Sequence, residues 1–277
     1  MHIQAKRIFR LSITAAIALV MAYIMSTPLP FVAPLFAFFL GVTPGPPLGI
    51  KKLIALLIVI LLTLGIGLLL IPLLIDFQVT ALLLVLVGLY FSSYLTVNLK
   101  KNLPGLFLAM GITLISAAGT VSFSHASLII EALTHNVTIA VLCQLIIYPF
   151  FPEDPVRQTE IKSEPETPDA IQSNWIAIRS TIIVFPVYLV LLSNPMAYTA
   201  IAIKSILLSQ QSSHLDAKSA VNELIGSTIL GGIFAIIFWM LLGIWVNLWM
   251  YFLWMLAFSL FFSCKIYQLI PSKLSAS

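Results

Sequence analysis

Two ionisable residues stand four apart within an otherwise apolar stretch, "SLIIEALTHNVTIAVL", which runs from residue 127 to residue 142. On a helix, Glu131 and His135 lie on the same face. A carboxyl and an imidazole that are buried together can exchange a proton near neutral pH, so the pair is a candidate proton-coupling site. The alternative is a hydrogen-bonded clasp between two helices near the outer membrane surface.

A third ionisable residue, Lys204, lies in the apolar stretch "AYTAIAIKSILLSQQ". A charge inside the membrane is energetically costly, so an ionisable residue there is a candidate functional residue. Its ammonium can hold an anionic substrate. Equally, its long stem can carry the charge to the cytoplasmic headgroups. The predicted substrate-binding residues are Lys204, Tyr198, Ser205, Pro34 and Phe38.

The sequence contains no motif of soluble catalysis: the Walker loop, the HExxH zinc motif and the GxSxG elbow are all absent. Its two cysteines, Cys143 and Cys264, lie in apolar runs, and we interpret both as packed side chains. There is no disulfide framework and no metal-ligand spacing. We therefore expect no metal or other cofactor, and we expect that the chain is not an enzyme.

The composition indicates an integral membrane protein. Of the 277 residues, 60% are hydrophobic and 9% are charged, and the mean hydropathy is +1.08. Soluble domains carry about 25% charged residues. The net charge of +4 reflects which side of the membrane the basic loops face and does not indicate a nucleic-acid partner.

The apolar runs predict an all-α polytopic protein with about ten transmembrane helices. The predicted helices are Ile8–Met25, Phe31–Val42, Lys52–Ile75, Gln78–Val97, Leu103–Ala118, Ala126–Pro149, Trp175–Leu192, Met196–Gln210, Ala217–Gly243 and Leu248–Tyr267. An N-terminal transmembrane part (1–150), a polar linker (151–174) and a C-terminal transmembrane part (175–277) follow from this pattern. Every second loop is basic, so the linker and both termini are predicted to be cytoplasmic.

An internal repeat is visible in the two halves. The stretch "RLSITAAIALVMAYIMSTPLPFVAPLFAFFLG" begins at Arg10, and "RSTIIVFPVYLVLLSNPMAYTAIAIKSILLSQ" begins at Arg179. Each has a spanning run, a proline-containing turn and a short segment, which predicts two parallel repeats with a short, proline-flanked second helix. Matching short segments mark the substrate site of many transporters. The alternative is a short hairpin that only packs. We interpret both arginines as topology anchors.

The hairpin "TPLPFVAPLFAFFLG", the acidic linker and the motif "ELIGSTILGGIFA" carry a family resemblance. On these motifs the chain resembles the fusaric acid resistance and aromatic acid exporter superfamily of bacterial inner-membrane proteins. The resemblance implies proton-driven export of aromatic or other weak organic acids and a periplasmic adaptor protein as partner. It also implies about six helices per half, so the chain would be a shortened member. Glu223 stands where that superfamily has an arginine.

The leading hypothesis is a secondary transporter that exports small organic anions, is coupled to protons and works as a homo-oligomer in the lipid bilayer. The alternative hypothesis is a non-transporting membrane scaffold subunit for an efflux adaptor complex. An intramembrane enzyme is the third, and the residues offer it no nucleophile, base and orienting group.

Overall fold

The structure of the chain is a computed structural model, which describes residues 3–42, 49–99, 101–152, 170–211 and 217–267. Within these ranges the regular secondary structure is helical throughout. The α-helices are α1 (Ile3–Ile24), α2 (Val32–Gly41), α3 (Ile50–Asp76), α4 (Gln78–Val97), α5 (Asn102–Met110), α6 (Ser116–Val121), α7 (Phe123–Ile147), α8 (Ala170–Ser193), α9 (Pro195–Gln211), α10 (Ala217–Ile244) and α11 (Leu248–Ile266).

Within the described ranges, seven helical segments are long and apolar enough to cross a membrane. They are Ala5–Ile24, Ile50–Asp76, Gln78–Val97, Asn102–Val121, Phe123–Phe150, Asn174–Ser193 and Leu248–Ile266. Three shorter apolar helices cover Val32–Gly41, Pro195–Ser209 and Ile229–Ile244. The chain is therefore a multi-pass, all-helical membrane protein. The count of ten spans stays a prediction.

The predicted fifth helix is interrupted in the structure. A π-helical turn, Gly111–Ile115, joins α5 to α6, and all residues from 105 to 119 are buried. Thr113 donates a hydrogen bond to the Ala109 carbonyl at 2.7 Å, and Ser116 bonds back to the Ile112 carbonyl. Such bonds from serine and threonine to the preceding turn compete with the regular α-helical ladder.

The C-terminal end of the predicted linker is helical in the structure. Residues 170–174, which we assigned to the linker, belong to the first turns of α8. The last proline of the linker is Pro168, and helices readily begin close after a proline, so proline-rich composition overestimates its length. Residues 153–169 lie outside the described ranges.

The chain folds into two compact units, each built from both halves of the sequence. The first contains α1, α2, α10, α11 and the part of α7 from His135 onward. Here α1 packs along α11 and against α2. The Ser12 hydroxyl donates to Ser263 Oγ at 3.1 Å, and the rings of Tyr23 and Tyr251 meet edge to face at 5.2 Å. These contacts pair the start of α1 with the end of α11, so the two helices are antiparallel.

The second unit contains α3 from Ile54 onward, α4, α5, α6, the start of α7, α8 and α9. Here α4 packs against α5 and α8, and α8 packs against α9. The Ser93 hydroxyl donates to Ser180 Oγ at 3.1 Å. The crossing of α3 with the π-helical turn requires two glycines, because a Cβ at Gly67 would overlap the carbonyl oxygen of Gly111.

Candidate functional site

The short helix α2 begins from a strained turn that a buried amide holds. Ser26 and Leu29 adopt positive φ angles of 51° and 54°, a backbone conformation that residues other than glycine rarely adopt. The side chain of Asn136, fully buried on α7, donates from Nδ2 to the carbonyls of Pro28 at 3.0 Å and Leu29 at 3.3 Å. Thr27 donates to the Ala22 carbonyl at the end of α1. The turn is therefore fixed to both neighbouring helices.

The other end of α2 lies beside α1 and α7. The ten residues of α2 make a helix about 15 Å long, half the thickness of a bilayer core. A Cβ on Gly41, the last residue of α2, would lie 2.7 Å from Leu11 Cδ1 and 3.2 Å from Gln144 Nε2. Gln144 also donates to the Ala37 carbonyl at 3.2 Å. The last residue of α2 thus lies next to Leu11 of α1, which follows Arg10 in the sequence.

Arg10 is buried at this level. Its side chain is 8% exposed, and its guanidinium carbon lies 5.5 Å from the centroid of the Tyr148 ring, a cation–π contact. Tyr148 follows Gln144 by four residues and is the first residue of the 3-10 turn Tyr148–Phe150 that follows α7. The sequence interpretation of Arg10 as a topology anchor did not foresee that the side chain is buried.

The predicted substrate-binding residues fall into two groups. Pro34, buried, and Phe38, half-buried, lie on α2 in the first unit. Tyr198 and Ser205, both half-buried, and the exposed Lys204 lie on α9 in the second unit. Tyr198 and Ser205 are seven residues apart and share a face of α9, and Lys204 points about 100° away from that face. Their shared role in binding stays a prediction.

The predicted proton-coupling pair lies on α7. Glu131 and His135 are one helical turn apart, and both are exposed. The buried polar residue of this turn is their neighbour Asn136. The proposed relay started from the premise of burial, and the structure places the pair on the surface instead. The relay itself stays a prediction.

Sequence reasoning missed two polar contacts in the second unit. The Tyr188 hydroxyl, 1% exposed on α8, lies 3.1 Å from Ser116 Oγ at the end of the π-helical turn. π-helical turns occur often at functional sites. The Ser93–Ser180 bond is the other contact. Serine and threonine in apolar runs are the signal that could have found both, because each needs a hydrogen-bond partner in the membrane.

Within the described ranges, no group of three or more histidine, cysteine, aspartate or glutamate side chains is placed to hold a metal ion. Cys143 is buried and Cys264 is half-buried, and both are free thiols. The side chain of Glu223 lies outside the described residues.

Residues 7–147, just over half of the chain, match the family described as "Protein of unknown function (DUF2955)". The chain belongs to this family. The range that matches DUF2955 includes Arg10, α2, Glu131, His135 and Gln144. No curated protein and no solved structure matches the chain.

Proposed function

We propose that this DUF2955 protein is a secondary transporter that exports small organic anions, aromatic or weak-acid, across the bacterial inner membrane in exchange for protons. The observation that supports the proposal best is the length of α2. This helix has 10 residues, too short to cross a bilayer, and its last residue, Gly41, lies against Leu11 of α1 and the Gln144 side chain of α7. Helices that end at membrane depth line the substrate site in many transporters.

Two parallel repeats within about ten spans form part of the proposal, and the helix lengths support them. Helices α1 to α4 have 22, 10, 27 and 20 residues, and α8 to α11 have 24, 17, 28 and 19. The first helix of each set packs against the fourth helix of the other, α1 on α11 and α8 on α4. A buried serine pair joins each of these interfaces at 3.1 Å.

The residue roles follow the chemistry of the side chains. We propose that Lys204 attracts the anion with Tyr198 and Ser205 beside it, that Pro34 and Phe38 contribute from α2, and that Glu131 and His135 couple protons. Charged side chains that face lipid are costly. The exposed positions of Lys204, Glu131 and His135 are therefore consistent with a water-filled path or with an interface to a second copy.

A homo-oligomer and a periplasmic adaptor remain the proposed protein partners. Three glycines leave space on α10: a Cβ at Gly226, Gly231 or Gly232 would meet nothing within 4 Å in the described part of the chain. Small residues allow transmembrane helices to approach closely. We propose that α10 meets a second copy at these glycines, with both termini in the cytoplasm, as the basic loops indicate.

Uptake of labelled 4-hydroxybenzoate into inverted inner-membrane vesicles tests the proposal, because inward movement there corresponds to export from the cell. Vesicles that contain the full chain should accumulate the label when a proton gradient is present and lose it with a protonophore. Vesicles from cells without the chain are the control. If folded protein transports none of a panel of aromatic and aliphatic acids, the transport proposal is wrong and the scaffold alternative is favoured.

A further inference from the structure

We infer that the second unit contains a hinge inside the membrane, formed by the π-helical turn Gly111–Ile115 and by Pro186 of α8, and that the hydrogen bond between Tyr188 and Ser116 holds this hinge closed. The inference goes beyond the proposed export function, because it concerns a movement of the chain and not its substrate. It can therefore be tested without any transport.

The helices α5 and α8 run in the same direction from the end of α4. The Ser92 hydroxyl donates to the Gly105 carbonyl, near the start of α5, at 2.6 Å. The next residue of α4, Ser93, donates to Ser180 in the first half of α8 at 3.1 Å. Both contacts lie in the last two turns of α4, so positions counted from the start of each span lie at similar depths in the membrane.

Two interruptions of regular helix lie at one depth. Counted along two spans of 20 residues, the π-helical turn covers positions 10–14 of Asn102–Val121, and Pro186 is position 13 of Asn174–Ser193. Proline has no N–H, so the carbonyl of Ile182 loses its helical partner. Helices kink preferentially at prolines and at π-helical turns. Both helices are therefore weakest against bending at the same level.

The start of the π-helical turn is fixed to two neighbouring helices. A Cβ at Gly67 of α3 would overlap the carbonyl oxygen of Gly111, so the two backbones touch there. The next residue, Ile112, reaches α4, where its Cδ1 would lie 2.6 Å from a Cβ on Gly88. These contacts hold the segment below the interruption in place, so bending displaces the segment that follows it.

A single hydrogen bond joins the two interrupted helices just beyond this level. Tyr188 and Ser116 each stand at position 15 of their spans, and their hydroxyl oxygens lie 3.1 Å apart. The Ser116 hydroxyl donates to the Ile112 carbonyl, so its oxygen accepts the proton of Tyr188. Both side chains are no more than 1% exposed. The bond is placed to stop α6 and the end of α8 from bending independently. The alternative is that it only satisfies two buried hydroxyls.

Helix α9 couples the hinge to the residues proposed for substrate binding. It packs against α5, the π-helical turn, α6 and α8, that is, on both sides of the interruption. It carries Tyr198, Lys204 and Ser205. A bend at the hinge changes the packing around these three residues, and only this link rests on the proposed function. Discontinuous helices in transporters commonly lie beside the substrate site.

Spin labels on the full chain measure the bend as a distance. One pair, Phe91→Cys on α4 and Val121→Cys at the end of α6, spans the hinge, and both positions are exposed. The reference pair, Phe91→Cys and Ile178→Cys on α8, lies below it, and Ile178 is also exposed. Cys143→Ala and Cys264→Ala remove the native thiols from every labelled chain.

Two substitutions should move the hinge in opposite directions. Tyr188→Phe removes only the hydroxyl and should raise the population of a second distance across the hinge about fivefold, because one buried hydrogen bond is lost. Pro186→Ala supplies the missing N–H at an exposed position and should abolish the second distance. The reference pair should give one unchanged distance in both variants.

Hydrogen exchange followed by mass spectrometry gives a second readout in the unlabelled chain. In Tyr188→Phe the amides of residues 112–121 and 184–193 should exchange about fivefold faster, and those of residues 82–93 in α4 should not change. Tyr90→Phe is the matched control: it makes the same change on α4, where the ring lies 6.5 Å from that of Tyr94, and should leave all three segments unchanged.

The outcomes separate the hinge from the exporter. A second distance in Tyr188→Phe, without uptake of 4-hydroxybenzoate in vesicles, supports the hinge and contradicts the exporter. Normal uptake, with one unchanged distance and unchanged exchange in both variants, overturns the hinge and leaves the exporter standing. If Tyr188→Phe alters the reference pair as well, the bond serves packing and the latch is wrong. If Tyr188→Phe does not fold, slower exchange of residues 112–121 in Pro186→Ala than in the wild type supports the hinge, and equal exchange overturns it.

Discussion

The side-chain amide of Asn136 donates to the backbone carbonyl of Pro28 at 3.0 Å, across 108 residues of sequence. The bond ties the middle of α7 to the turn that starts α2, where Leu29 has a φ angle of 54°. A second bond from the same amide reaches Leu29 at 3.3 Å. The start of α2 is thus fixed by a residue that lies far from it in the sequence.

Asn136→Ala should destabilise the protein by about 1–3 kcal/mol, because the carbonyls of the half-buried Pro28 and Leu29 lose the Asn136 donor and the strained turn loses its support. Thermal unfolding of the purified chain in detergent measures the loss. Ser127→Ala, an exposed position on the same helix, is the control and should change little. An Asn136→Ala midpoint equal to that of the wild type would show that the turn does not depend on this amide.

The serine pair of α1 and α11 predicts opposite effects for two neighbouring substitutions. Ser263 accepts the hydroxyl of Ser12 at 3.1 Å, so Ser263→Ala should cost about 0.5–1 kcal/mol. Ser259, one turn earlier and 1% exposed, has an Oγ with no hydrogen-bond partner in the described part of the chain. Ser259→Ala removes an unsatisfied polar group and should be neutral or stabilising.

Unfolding of the two variants in detergent compares them directly, and a double-mutant cycle on Ser12 and Ser263 isolates the pair. The same cycle on Ser93 and Ser180 should give a similar coupling, because the two bonds have the same length. A clear coupling in one pair and none in the other would count against the two-repeat proposal.

The proline and glycine pattern allowed the ends of several elements to be predicted, because these residues act on the local backbone. The predicted turn before α2 contains Thr27 and Pro28, as it does in the structure. The helix α4 was predicted with the same bounds that the structure gives. The π-helical turn was not predicted, since it depends on how Thr113 and Ser116 bond back along a helix that is buried on all sides.

The faces of the helices were harder to predict than their ends. In α7 apolar residues surround Glu131, His135 and Asn136, so no amphipathic stripe shows which of them is buried. Packing buries Asn136 and leaves the other two exposed. Arg10 was interpreted from its place near a helix start, and its burial depends on Tyr148, which is 138 residues away.

Two glycines on α3 should respond differently to alanine. At Gly67 a Cβ would overlap the carbonyl of Gly111 and approach Ile115 Cβ to 2.8 Å, so Gly67→Ala should separate the helices and cost about 1–3 kcal/mol or more. At Gly65 a Cβ meets nothing within 4 Å in the described chain, and alanine should stabilise the helix by up to about 1 kcal/mol. Unfolding midpoints that fall equally in both variants would contradict the close crossing.

Lys204 provides the first prediction about transport. Lys204→Gln should lower the uptake of 4-hydroxybenzoate into inverted vesicles at least about tenfold, if its charge attracts the anion, and Lys204→Arg should retain a large part. Lys52→Gln, an exposed lysine at the start of α3, is the control for loss of charge alone. Equal rates for Lys204→Gln and Lys52→Gln would favour the snorkelling interpretation, in which the charge of Lys204 only reaches the headgroups.

If Glu131 and His135 couple protons, a substitution of Glu131 should impair proton-driven uptake but not the exchange of substrate across the membrane. Glu131→Gln keeps the size of the side chain but cannot release a proton, so net uptake driven by a proton gradient should fall at least about tenfold. Exchange of labelled for unlabelled 4-hydroxybenzoate needs no net proton movement and should continue. Reconstituted liposomes measure both rates in one preparation, and Ser127→Ala controls for a change on the same helix. If exchange and gradient-driven uptake fall together, Glu131 acts in folding or substrate binding; if neither falls, the proton passes elsewhere.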